Sequence, residues 1–248
     1  MKRSETMKMF VKNSLSVLWK VVFANIICIF LILTVSTICT ALTTVDIGYQ
    51  AYGVKEGSTE SELLYTYYNK DGEDTKKAEY ESQGYTITTV NLSSDMPNAA
   101  RNTFLVIAQL VGLSTTALFI YPTVWECGNK DSNRVNFGRI KEDKLRGFKI
   151  GLAAMLPFFL LFIALIIFAL GAYEKFAVIL YKFINCYAFG FLDFIIGDAV
   201  YVSDLAFWQY PLIFITLFIV PVIAYIAYIL GYKDISVIEK IVYKKKDK

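Results

Sequence analysis

Three side chains within residues 176–200 (FAVILYKFINCYAFGFLDFIIGDAV) could do chemistry in an apolar setting: Lys182, Asn185 and Asp193. With Cys186, Gly190 and Gly197 they recur along one helical stripe. Ionisable residues inside a bilayer are costly, and where they occur they mark ion or proton pathways. The same stripe could instead face water from a helix lying on the outer membrane surface, or line the protein interior in a re-entrant segment. A helix that does not cross is the preferred reading, since a fifth crossing would carry the lysine-rich C-terminal tail outside. Lys182 and Asp193 are eleven residues apart, ~16 Å along a continuous helix, so no direct pairing is expected.

Other chemistry finds little support. The chain contains no histidine, which removes the commonest general base and zinc ligand. Ser, Thr, Asp and Glu are scattered, without GxSxG, HExxH, CxxC or GxxxxGK[ST] spacing. Neither an enzyme nor a cofactor is expected. The turn-rich stretch NKDGEDTKK (69–77), within an outer loop of excess acid, lacks the regular oxygen ligands and closing glutamate of a calcium loop. A net charge of +3, unevenly placed, gives no reason to expect nucleic acid as a partner. Cys28, Cys39, Cys127 and Cys186 lie outside the longest polar loop and read as apolar thiols rather than a disulfide framework.

Recognition surfaces are better represented. Tyr49, Tyr52, Tyr65, Tyr67, Tyr68, Tyr80 and Tyr85 crowd one polar loop. They either form an amphipathic face for glycan or peptide, or pack a small hairpin against itself. Asn91-Leu92-Ser93 fits an N-glycosylation acceptor. A second loop carries Arg134, Arg139, Lys141, Lys144, Arg146 and Lys149. Such side chains attract anionic headgroups on the cytoplasmic face, at about 1 kcal/mol each, or dock a cytoplasmic protein. Ala108, Gly112 and Thr116 are spaced one turn apart, a small-residue ridge that lets another helix approach closely.

Four apolar runs of 23 residues must position these groups: 21–43, 103–125, 151–173 and 208–230. Each reaches ~35 Å as a helix, enough for a hydrocarbon core of about 30 Å. The intervening charge alternates in sign. Residues 1–20 are basic, residues 46–100 hold ten acids against four lysines, and residues 126–150 and the tail are basic again. The positive-inside rule therefore puts both termini and the 126–150 loop in the cytoplasm. Trp19, Trp125 and Trp208 at span ends suit the headgroup region. The first run is longer than a signal-peptide core, and reads as an uncleaved span.

The expected fold is an all-α integral membrane protein, a four-transmembrane-helix bundle with a small β-rich extracytoplasmic loop and an amphipathic or re-entrant helix before the last span. The expected order is a cytoplasmic segment 1–20, span 21–43, outer loop 44–100, span 101–125, basic inner loop 126–150, span 151–173, outer helix 174–207, span 208–230 and cytoplasmic tail 231–248. Within the outer loop, SELLYTYY (61–68) and YTITTVNL (85–92) read as a β-hairpin turned near Asp71-Gly72. Pro157 and Pro221 are expected to kink their helices, and residues 235–243 to form an amphipathic anchor. No ionisable residue lies mid-span in the four runs, where Asn25 and Gln109 are the strongest polar groups. The expected function is a non-catalytic subunit or scaffold that binds another membrane or envelope protein. Its expected surroundings are anionic lipids of a bacterial plasma membrane. The alternative is an oligomeric transport or channel component using residues 182–198.

Overall fold

The computed structural model describes residues 3–55, 60–67, 73–169, 177–197, 199 and 201–236. Three helical stretches are long and apolar enough to cross a membrane, and up to five if each of two bent pairs counts as one span. The chain divides into two compact units, Ser36–Phe104 and the remainder.

The smaller unit takes in the end of α1 (Arg3–Thr43) and continues through β1 (Asp46–Lys55), β2 (Ser61–Tyr67), α2 (Glu73–Ser82) and β3 (Tyr85–Ser93). The sheet is open and antiparallel, in the order β2-β1-β3. The expected hairpin is corrected here, because β2 and β3 do not pair with each other but flank β1 on either side. In β1 the residues Tyr49, Ala51 and Gly53 alternate inward, a period of two that makes GYQAYG a central strand. The connection expected to be a turn carries α2, whose Tyr80 stacks on Tyr65 with centroids 5.7 Å apart. Tyr49, Ala51 and Tyr65 are the buried core, with Leu64, Tyr80 and Ile87 packed on it.

In the larger unit α1 turns Val17, Val21, Ala24, Cys28 and Ile32 inward and leaves Val11, Trp19, Phe23 and Phe30 exposed. A helix that exposes its large apolar side chains is built for a lipid solvent. The helix α3 (Asn98–Asn136) has 39 residues, ~58 Å at 1.5 Å per residue. It therefore runs on through residues 126–136 of the stretch expected to be a loop, and only 137–145 separates it from α4 (Arg146–Ala154). The apolar run 151–173 is not one straight helix over its described residues. It belongs to a pair, α4 and α5 (Leu156–Ala169), bent by 49° at Met155. Pro157 lies in the first turn of α5, where its missing donor costs little, and the break precedes it. Pro211 and Pro221 sit likewise in the first turns of the last two described helices, α8 (Gln209–Thr216) and α9 (Ile219–Tyr232).

Glycine decides how closely three of these helices approach. A Cβ on Gly231 of α9 would lie 2.0 Å from the Trp125 carbonyl oxygen, and one on Gly128 of α3 would lie 2.2 Å from that of Tyr228. Gly147 and Gly151, one turn apart on α4, meet Tyr228, Ala224 and Pro221 of α9 in the same way. This Gly-x3-Gly seam is a membrane packing device. Gly231→Ala is expected to destabilise the protein by about 1–3 kcal/mol through overpacking. Thermal unfolding in detergent would test this. An unchanged midpoint would mean that α3 and α9 are not in backbone contact.

Candidate functional site

Between α5 and α8 the chain forms α6 (Ala177–Ile184), a 3-10 turn at Cys186–Ala188 and α7 (Phe189–Ile196). The two arms are bent by 88°. Breaking a helix at apolar depth orphans backbone groups, and each must find a partner other than water. Two amides on other helices supply them. Asn25 of α1 donates through Nδ2 to the Ile184 carbonyl at 2.9 Å, and its Oδ1 accepts from the Tyr187 N–H at 3.0 Å. Gln109 of α3 donates through Nε2 to the Tyr187 carbonyl at 3.3 Å and accepts the Phe191 N–H at 3.0 Å. Its amide thus stands where an i→i+4 bond between residues 187 and 191 would lie in a continuous helix. Gly112 allows this approach, since a Cβ there would lie 2.7 Å from the Tyr187 carbonyl oxygen.

The same bend corrects the expectation for the polar stripe. Lys182 and Asp193 do pair, with Nζ 2.8 Å from Oδ1. Lys182 also donates to the Gly197 carbonyl at 2.9 Å. The 16 Å separation applied to a straight helix, and the fold at residues 184–188 brings the two arms together. Gly197, at φ 62°, ends α7 in a conformation that a side chain would strain. Asn185 is fully buried and donates to the Tyr181 carbonyl. The ridge residues Ala108, Gly112 and Thr116 are all buried, and Gly112 meets the broken helix.

A second polar cluster joins α3, α4 and α9. Asp131 Oδ2 lies 3.2 Å from Arg146 Nη1 and accepts the Tyr228 hydroxyl at 3.2 Å, while Oδ1 lies 3.3 Å from Arg134 Nη1. The Asp131 and Arg146 side chains are 4% and 9% exposed. Arg146 therefore does not present its charge to lipid or to a cytoplasmic partner, as its place in the basic stretch led one to expect. Helix α3 extends past Asp131 and carries the carboxylate to the arginine. Of the other basic residues, Lys149 pairs with Asp143 at 2.8 Å and Lys144 with Glu142 at 3.7 Å. Arg139 lies over the Phe137 ring, and Lys141 is exposed. Asp131 escaped sequence reading because 126–150 looked like a loop. The uninterrupted stretch before Gly138, without proline after Pro122, was the available signal.

The tyrosines of the small unit are drawn mainly into one cluster. Tyr49 and Tyr65 are buried and edge-to-face, and Tyr80 links Tyr65 to Tyr85. Tyr52 donates to Gln50. Tyr85 is hydrogen-bonded to Glu62, which, with lesser desolvation, raises the phenol above its ordinary pKa. Tyr67 ends β2, and Tyr68, Asp71, Gly72 and the tail from residue 237 lie outside the described residues.

Helices of this length and apolar exposure define a multi-pass helical membrane protein. Comparison with protein-family models, curated proteins and solved structures finds no match to the chain.

Proposed function

We propose that this chain is a non-catalytic integral membrane subunit or scaffold that binds and positions another membrane or envelope protein through its Ser36–Phe104 unit. The observation carrying this reading is how the strongest intramembrane polar groups are used. Asn25, Gln109, Asn185, Lys182 and Asp193 are engaged in holding a broken helix rather than in lining an open path. The small unit, by contrast, presents an exposed sheet edge and an acidic surface. In the proposed arrangement both termini are cytoplasmic, and the small unit is outside. The arms α6 and α7 hold eight residues each. Set nearly at right angles, they reach about 20 Å, short of a core of about 30 Å, which supports a segment that enters and leaves on one side.

The test is co-purification from native membranes in mild detergent, comparing the intact chain with one whose residues 46–93 are replaced by a short Gly/Ser linker. A stoichiometric partner that is lost with the replacement is the expected result. A partner-free chain of fixed oligomeric size would overturn the reading.

One observation favours a second reading, a transport or channel component: an ion pair, Lys182–Asp193, sits at a helix discontinuity, where transporters commonly place substrate and ion sites. Under the subunit reading, Asp193→Asn leaves co-purification intact. Under the transport reading, the same substitution abolishes ion or proton flux in proteoliposomes that the unmodified chain supports.

A further inference from the structure

We infer that the outer edge of β3 accepts an extended strand of a second polypeptide, one with a neutral middle and basic ends. The inference deepens the subunit reading and rests on it.

β3 closes one side of the sheet and, among the described residues, pairs only with β1. Thr88, Thr89, Val90 and Asn91 are exposed in succession, so side chains on both faces of this stretch meet solvent. Exposed edges are ordinarily guarded by charge, proline, a bulge or a covering element. The run Tyr85–Leu92 contains neither a charged residue nor a proline. Its pairing with β1 is regular from Gly48↔Leu92 to Lys55↔Tyr85. On this side the register shifts only at the strand's end, between Asp46 and Gly48 of β1, whereas on the opposite edge β2 carries Glu62 and the shift falls mid-strand, between Ala51 and Tyr52. One edge is guarded along its length, and the other offers a regular row of backbone donors and acceptors suited to strand addition.

Charge selects the occupant. Residues 46–100 hold ten acids against four lysines. Exposed Glu81 and Asp95 flank the two ends of β3, and Glu62 is hydrogen-bonded to Tyr85. Lys55 lies over the Tyr85 ring at the strand's start. A second copy would set like charge against like, whereas a strand with lysine or arginine at its ends would meet acids at both.

The probe is a fluorescent octapeptide with lysine at each end and alternating threonine and valine between, added to the full chain in nanodiscs. Controls are the same peptide with glutamate ends, and two versions N-methylated at alternate backbone nitrogens, one for each register. The lysine peptide is expected to bind at least about tenfold more tightly than the glutamate peptide and than the weaker N-methylated one. It is also expected to slow hydrogen exchange within residues 85–92. Equal binding of all peptides, or binding without added protection in 85–92, would overturn strand addition. So would full protection of those amides in the free chain. Loss of a co-purifying partner on replacing 46–93, together with no peptide binding, overturns strand addition alone. Peptide binding without a co-purifying partner overturns the subunit reading instead.

Discussion

Asp131→Ala is expected to cost about 3–5 kcal/mol of stability, because it strands the Arg146 guanidinium in a buried site without its counter-ion. Arg146 is 9% exposed at its side chain and cannot swing freely into water, whereas Arg134, at 32%, can. Tyr228 also loses its acceptor, but a lone hydroxyl costs less to leave unpaired than a cation. The ranking is therefore specific. Asp131→Ala should be worse than Tyr228→Phe, and the double variant Asp131→Leu/Arg146→Met should recover much of the loss by removing the charge altogether. Equilibrium unfolding in mixed detergent, read as a double-mutant cycle, measures the coupling. Additive single effects would mean that the two side chains are not paired.

The second large effect belongs to the broken helix. Asn25→Leu leaves the Ile184 carbonyl and the Tyr187 N–H unpartnered, and Gln109→Leu does the same to the Tyr187 carbonyl and the Phe191 N–H. Each orphaned backbone group costs about 1–3 kcal/mol. The two substitutions act on one short segment, so their effects should be strongly non-additive. A local readout is available, because Cys186 lies in the turn and is 1% exposed. In a Cys39→Ser/Cys127→Ser background, maleimide should label the intact chain slowly and the Gln109→Leu chain quickly. Unchanged labelling would show that Gln109 does not hold the break.

What the sequence made legible follows from the range of the interactions involved. Apolar runs of 23 residues announce membrane helices because hydropathy is a local property. Acidic and basic segments announce themselves in the same way. The bend at 184–188 was not legible, since its cause lies on two helices 78 and 159 residues away along the chain. Asn25 and Gln109 stood out as the strongest polar groups in their spans, yet nothing nearby says what an isolated amide will bind. The Lys182–Asp193 pair was missed for the same reason, because a distance along a helix is valid only while the helix is straight. The hairpin error was different in kind. Alternation in 46–54 is present, but glycine at 48 and 53 lowers strand propensity, so the aromatic run 61–68 and the β-branched run 85–92 read as partners of each other rather than of the strand that lies between them in space.

The amide clamp also has a consequence for how the protein is made. The ribosome delivers α1 and α3 before residues 177–197, so Asn25 and Gln109 can already be within the bilayer when the segment they hold emerges. The broken helix need not stabilise its own bend during insertion. It arrives at a waiting receptor, and its shape is a property of the helices that preceded it.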